Sequence, residues 1–99
     1  MNNLKQVTSE ELIELINSKD KDYQFIDVRS PMEYRSGKIE RFENIPLQNF
    51  EYEMNRLDKT QPVVLICESG SRSLSAARYL ARLDFLEVIN VKGGISKFR

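Results

Sequence analysis

The segment that decides the fold is Val63-Val64-Leu65-Ile66-Cys67-Glu68-Ser69-Gly70-Ser71-Arg72-Ser73. Its first four residues form the most apolar run of the chain, and a short run of this kind predicts a buried strand over 63–66. Apolar residues at helical spacing then predict a helix over 72–83. Cys67 is therefore expected at the end of a central strand, directly before a tight loop and a helix.

Strands and helices alternate on both sides of this segment. Helices are predicted over 9–17, from 30 to about 37 and over 48–57, and strands over 25–28, 43–46 and 88–91. Thr8 and Glu11 form a capping box for the first helix, and Gly93 and Gly94 mark a closing turn. The alternation predicts an α/β domain with a mostly parallel sheet and helices on both faces. The 99 residues suit one domain, 1–99.

The charge balance argues against two classes of partner. Lys+Arg and Asp+Glu both total 15, so the formal net charge is zero. Proteins that bind nucleic acid or membrane surfaces usually carry a basic excess, and we therefore expect neither partner. No run approaches the roughly 18 apolar residues that a membrane-spanning helix needs. Residues 1–5 lack the apolar stretch of a secretion signal, so a cytoplasmic location is expected.

The chain has a single cysteine and no histidine. One cysteine excludes an internal disulfide, and it provides no Cys-x-x-Cys pair for zinc or for thioredoxin-like chemistry. Without histidine there is no Cys–His dyad, no Ser–His–Asp triad and no histidine metal site. We therefore expect neither a metal nor another cofactor. A nucleophile in this protein must be activated by backbone dipoles and by cations.

The residues between the central strand and the following helix suit such a nucleophile. Gly70 and its small neighbours allow the backbone to curl, so that successive N–H groups point inward. These amides and the positive end of the helix dipole are expected to stabilise a thiolate on Cys67. Ser69, Ser71 and Ser73 are expected to contribute mainly through their backbone amides. The alternative is an inert cysteine packed at the end of a strand.

Four charged side chains are further candidates for roles at the site. Arg72 offers a rigid fork of donors to an anionic substrate. Glu68 places a carboxylate beside the cysteine, where it would repel an anion if it faces the pocket mouth; the alternative is a solvated charge or a contact for a protein partner. Asp27 ends a buried strand, so we expect it to support the structure by pairing with a cation or with backbone amides. Arg29 is also expected to be supportive, by pairing with Glu33 or by reaching toward the site.

The sequence resembles the rhodanese family along nearly its whole length. Five motifs carry the resemblance, and they occur in the family's order at suitable spacing. They are Phe25-Ile26-Asp27-Val28-Arg29-Ser30-Pro31 with Glu33-Tyr34, Gly37-Lys38-Ile39, Asn44-Ile45-Pro46-Leu47, Cys67 to Arg72, and Val91-Lys92-Gly93-Gly94-Ile95. The resemblance implies an α/β fold with a five-stranded parallel sheet flanked by helices.

The same resemblance implies a ping-pong sulfur transfer. Cys67 would take the outer sulfur of a donor such as thiosulfate or a persulfide, and would then pass that sulfur to an acceptor such as cyanide or a thiol. The transfer is covalent catalysis in two steps. The loop of Glu68 to Ser73 would hold the terminal sulfur, and Arg72 would help to hold the anionic end of the donor. A protein partner in a sulfur relay is a further expectation.

Three other functions remain open from the sequence. Phosphatases and arsenate reductases of similar design use Cys-x5-Arg, whereas Arg72 is placed for Cys-x4-Arg, a shorter loop that suits a sulfur atom. A non-enzymatic persulfide carrier or redox partner domain would have the same site with slow turnover. An inert regulatory domain is disfavoured because Cys67 and Arg72 are both present.

Overall fold

The computed structural model describes residues 3–98. Five strands form one all-parallel sheet in the order β1-β5-β4-β2-β3. The strands are β1 Leu4–Val7, β2 Gln24–Asp27, β3 Glu43–Asn44, β4 Val63–Ile66 and β5 Val88–Val91. The helices are α1 Ser9–Asn17, α2 Pro31–Ser36, α3 Phe50–Glu53 and α4 Ser71–Ala81, with 3-10 turns at Leu47–Asn49, Met54–Arg56 and Ile95–Lys97. The predicted α/β class and the five-stranded parallel sheet are confirmed.

Local sequence signals set the starts of the first two helices. Thr8 accepts a hydrogen bond from the backbone of Glu11, whose side chain accepts one from the backbone of Thr8, so the predicted capping box is present. The same arrangement joins Ser30 to Glu33 at the start of α2. Pro31 fits the first turn of α2 because its missing N–H would have no helical partner there.

Two elements differ from the sequence prediction. The hydrophobicity pattern does not predict the first strand, β1, because only its two end residues are apolar and its middle residues Lys5 and Gln6 are exposed. Such a strand lies at the edge of the sheet beside β5. The helix predicted over 48–57 is broken into α3 and its two flanking 3-10 turns. Asn49 and Asn55 are weak helix formers, and Asn49 makes no side-chain cap to α3.

Two apolar clusters cover the two faces of the sheet. Side chains alternate along β4, so Val63 and Leu65 face α4, whereas Val64 and Ile66 face the side on which α1 buries Leu12. Cys67 continues this alternation and lies in the cluster on the α4 side. The sheet therefore aims the cysteine toward the start of α4. Within residues 3–98, no helix is both long and apolar enough to cross a membrane.

Candidate active site

The thiol of Cys67 is surrounded by hydrogen-bond donors. The backbone N–H of Gly70 lies 3.1 Å from its Sγ, and the backbone N–H and the hydroxyl of Ser73 each lie 3.3 Å from it. The cysteine is fully buried. Donors that converge on one sulfur atom stabilise negative charge there, which is the requirement for a thiolate or for a persulfide anion.

The backbone conformation of the loop turns these amides inward. Gly70 has φ 101° and stands at the N-cap of α4, where no side chain caps the helix. The first amides of a helix have no partner within the helix, and here the N–H of Ser73 meets the sulfur instead. A Cβ on Gly70 would lie 3.0 Å from the backbone nitrogen of Gly93. The tight curl of the loop therefore requires glycine at this position.

A second turn holds the loop from outside. The backbone N–H of Ile95 donates to the carbonyl of Cys67 at 2.9 Å, and that of Ser96 donates to the carbonyl of Glu68 at 3.0 Å. Gly94 lies so close that a Cβ there would meet those two carbonyl oxygens at 2.5 and 2.6 Å. Because the carbonyls are satisfied on the outside, the peptide N–H groups of the loop can face the sulfur. The glycine turn is evident in the sequence, whereas the positioning role of Ile95 and Ser96 depends on contacts between distant segments that no local pattern predicts.

Asp27 and Arg29 form a buried ion pair beneath the loop. The carboxylate of Asp27 accepts from Nε of Arg29 at 3.1 Å and from Nη2 at 2.9 Å, and both side chains are almost fully buried. Arg29 also donates to the carbonyl of Gly37 and lies 3.6 Å from a carboxylate oxygen of Glu68. The sequence offered Glu33 as a partner for Arg29, but the structure pairs Arg29 with Asp27 and Glu68.

Arg72 and Glu33 form the second charged pair of the site. Nη1 and Nη2 of Arg72 donate to the two carboxylate oxygens of Glu33 at 2.8 and 3.0 Å. The hydrogen bonds from Arg72, and then from the backbone N–H of Ser30, lower the pKa of Glu33 to about 2. The guanidinium of Arg72, which is predicted to bind an anionic substrate, is therefore already hydrogen-bonded to Glu33. A guanidinium carries more N–H donors than these two bonds use.

The remaining loop residues are more exposed. Ser69 lines a cavity on the β5 side of the loop together with Lys92 and Lys97. Ser71 is exposed at the first position of α4. Among residues 3–98, no cluster of three or more histidine, cysteine or acidic side chains is placed to hold a metal ion. The structure thus brings together around Cys67 the loop backbone and the charged pairs of Arg29 and Arg72.

The pair of Arg72 and Glu33 makes a pH-dependent contribution to stability. A carboxylate whose pKa is depressed in the folded state contributes stability above its unfolded pKa of about 4.3, and that contribution is lost as the pH falls toward 2. Glu33 is 35% exposed, so solvent screening reduces the contribution to about 1 kcal/mol. Glu33→Gln keeps the capping box and should be less stable than the wild type by this amount at pH 7.

Urea unfolding at several pH values checks this expectation. The difference between Glu33→Gln and the wild type should disappear between about pH 4.3 and pH 2. Glu14→Gln, which changes an exposed carboxylate of α1, is the control and should shift stability by less than about 0.5 kcal/mol. A difference for Glu33→Gln that stays constant down to pH 2 would show that the ion pair contributes nothing.

Known proteins resemble this chain in sequence and in fold. A family model described as a rhodanese-like domain matches residues 8–99. The protein YqhL of Bacillus subtilis is 39% identical over 75 residues, which are 76% of this chain and 60% of that protein. A sulfurtransferase of Allochromatium vinosum is 30% identical over 92 residues, which are 93% of this chain and 85% of the relative. The chain therefore spans less than two thirds of YqhL but most of the sulfurtransferase.

A solved structure supports the same family assignment as the family model. The crystal structure of a rhodanese-like domain protein from Staphylococcus aureus superimposes with a TM-score of 0.85 at 29% identity, over 96% of this chain and 91% of that one. The family model, the sequence relatives and the fold thus point to one group of proteins. One relative of this chain is named a sulfurtransferase, and the chain itself belongs to the rhodanese-like domain family.

Proposed function

We propose that this protein is a sulfurtransferase that carries sulfur as a persulfide on Cys67. The observation that carries the proposal is the convergence of the Gly70 amide, the Ser73 amide and the Ser73 hydroxyl on the Cys67 sulfur. A cysteine that is merely packed in a core has no need of three donors. The name of the sulfurtransferase relative supports the same reaction class.

The first half-reaction loads the cysteine. The Cys67 thiolate attacks the outer sulfur of the donor, and a new S–S bond forms between Sγ and that sulfur. The bond between the outer sulfur and the rest of the donor breaks, and its electron pair leaves with the donor fragment. With thiosulfate the fragment is sulfite, so the total charge is conserved and no external oxidant or reductant is needed. The product is a persulfide anion on Cys67.

The second half-reaction releases the sulfur. A nucleophilic acceptor, such as cyanide or a thiolate, attacks the terminal sulfur of the persulfide, and the electron pair of the broken S–S bond returns to Cys67 as a thiolate. Preorganised amides lower the barrier because they need no rearrangement when charge moves between the two sulfur atoms. Splitting one transfer into two steps is ordinary nucleophilic catalysis. The loop of residues 67–73 therefore supplies both the nucleophile and its stabilisation.

A persulfide carrier is the second candidate. Complete burial of Cys67 and the engagement of Arg72 by Glu33 both favour slow exchange with small anionic donors. A carrier would be loaded once and would then hand its sulfur to a protein partner in a relay. The two candidates differ in turnover and share the same persulfide.

Steady-state kinetics test the proposed function. The wild type should convert thiosulfate or an alkyl persulfide, with cyanide as acceptor, over many turnovers, and Cys67→Ser should lose at least about a thousandfold in kcat/KM because its hydroxyl is a far weaker nucleophile. One burst of product equal to the protein concentration would favour the carrier. Activity retained by a folded Cys67→Ser would contradict both candidates, because Cys67 is the only cysteine in the sequence.

A further inference from the structure

A buried asparagine lies beside the cysteine loop on the last strand of the sheet. Asn90 stands in β5 among apolar residues, and only 1% of it is exposed. Its side chain faces the α4 side of the sheet, as does that of Val88 two residues earlier. Its Oδ1 atom is buried and has no hydrogen-bond partner among residues 3–98. Because a buried amide oxygen without a partner costs stability, packing alone does not explain an asparagine at this position.

The nitrogen of the same amide connects the edge strand to the loop. Nδ2 of Asn90 donates to Oε1 of Gln6 in β1 at 2.9 Å and to the carbonyl oxygen of Gly70 at 3.4 Å. An amide nitrogen has two N–H groups, so one serves Gln6 and the other serves Gly70. The opposite orientation of the amide would set Oδ1 against the carbonyl oxygen of Gly70. The hydrogen bonds therefore fix which atom of the amide faces the loop.

The carbonyl of Gly70 has more donors around it than it can accept. Besides Asn90, the backbone N–H of Leu74 lies 3.1 Å from it and the hydroxyl of Ser73 lies 3.2 Å from it. A carbonyl oxygen has two lone pairs, and a hydroxyl has a single proton to donate. The hydroxyl of Ser73 also lies 3.3 Å from Sγ of Cys67. Its proton therefore goes either to the carbonyl or to the sulfur.

The number of donors and acceptors decides between these two arrangements. When Asn90 and Leu74 occupy both lone pairs of the carbonyl, the hydroxyl of Ser73 is left for the sulfur, and every N–H and O–H of the group has an acceptor. When the hydroxyl donates to the carbonyl instead, the second N–H of Asn90 is left buried without an acceptor, which is costly. Asn90 therefore favours the arrangement in which the sulfur receives its third donor.

We propose that Asn90 is a positioning residue that directs the hydroxyl of Ser73 to the anionic sulfur of Cys67. It acts through the carbonyl of Gly70 and makes no hydrogen bond to the sulfur itself. The inference rests on the proposed sulfurtransferase function, because the thiolate that it favours is the nucleophile of the first half-reaction. Without Asn90, the hydroxyl turns to the carbonyl and presents its oxygen to the sulfur, which disfavours the anion.

The ultraviolet absorbance of the thiolate, followed against pH as the difference between each protein and its Cys67→Ala counterpart, tests this role without a sulfur donor. Asn90→Val removes both N–H groups and suits a strand, and it should move the midpoint of the titration upward by about 0.7 pH units, which corresponds to one ordinary hydrogen bond. Asn90→Ala, which adds no volume to the core, should move it in the same direction. Loading by thiosulfate should slow by only about twofold, because a more basic thiolate is also a better nucleophile.

A double-mutant cycle with Ser73→Ala separates positioning from packing. Once the hydroxyl is absent, Asn90→Val should move the midpoint by less than about 0.3 pH units. Val88→Ala is the matched control on the same buried face of β5, and it should destabilise the protein while leaving the midpoint unchanged. Every variant keeps the charged side chains around the loop, which are those of Asp27, Arg29, Glu33, Glu68, Arg72 and the two lysines of the β5-side cavity.

Three results would overturn the inference. They are a midpoint that stays in place in both Asn90→Val and Asn90→Ala, a shift that is as large without the Ser73 hydroxyl as with it, and a shift of equal size in Val88→Ala, since destabilisation alone would then explain it. If the cycle gives the expected result but no donor loads Cys67 with sulfur, the proposed function fails and the positioning role of Asn90 stands. If sulfur is loaded but the cycle shows no coupling, only the positioning role fails.

Discussion

Gly94→Ala should destabilise the protein by about 3 kcal/mol and should abolish sulfur transfer at Cys67. Gly94 has φ 64° and ψ −160°, a region of backbone space that residues other than glycine essentially never occupy. An added Cβ would lie 2.5 Å from the carbonyl oxygen of Cys67 and 2.6 Å from that of Glu68. Backbone atoms cannot rotate aside as a side chain can. The loop must therefore move, and the amides that face the sulfur move with it.

Gly93→Ala is the matched control for this prediction. Gly93 also has a positive φ, 82°, but its Cβ would meet the side chain of Lys97 rather than backbone. That side chain can adopt another rotamer, so we expect a loss of about 1 kcal/mol with sulfur transfer retained. Thermal unfolding and single-turnover loading of Cys67 measure both effects. A Gly94→Ala protein that loads sulfur at the wild-type rate would contradict the positioning role of the turn.

The second large effect is expected at Asp27. Asp27→Asn should cost about 3–5 kcal/mol of stability, because it leaves the buried guanidinium of Arg29 without its main counter-charge. Arg29 is fully buried, so water cannot replace the lost interaction. Its other ion-pair partner, Glu68, is 3.6 Å away and partly exposed. Such a loss is a large fraction of the stability of a domain of this size.

Urea unfolding at neutral pH measures this loss, and Glu43→Gln provides the control. Glu43 pairs with Arg56, and roughly half of each side chain is exposed, so breaking that pair should cost at most about 1 kcal/mol. Equal losses for Asp27→Asn and Glu43→Gln would show that burial adds nothing to the role of Asp27. Sulfur loading by the Asp27→Asn protein that remains folded should persist, because the expected role of Asp27 is structural.

Much of the fold could be predicted because its central elements are locally encoded. The apolar run over 63–66 coincides with β4, and the pattern over 88–91 coincides with β5. The capping box at Thr8 predicts the start of α1 at Ser9, and the helical spacing of apolar residues predicts its end near Asn17, as observed. The edge strand β1 could not be located in this way, because its two middle residues are exposed and only its end residues are apolar, which leaves a weak pattern.

The site could be predicted only in its local part. Cys67 and the donors of its loop lie within seven consecutive residues, so strand, glycine and helix signals place them together. The pair of Arg72 with Glu33 spans 39 positions, and the same glutamate also caps α2. Spacing along the chain cannot choose between such partners. The support of Cys67 by Ile95 is likewise a contact between distant segments, set by the packing of the glycine turn on the loop.

The mass of the intact protein after incubation with a sulfur donor tests the central claim most directly. The wild type, treated with thiosulfate or with an organic thiosulfonate and freed of excess donor, should gain the mass of one sulfur atom and should lose it again with a thiol reductant. Cys67→Ala, verified as folded by circular dichroism, should gain nothing. An unchanged mass of the wild type with every donor, or the same gain in Cys67→Ala, would contradict a persulfide on Cys67.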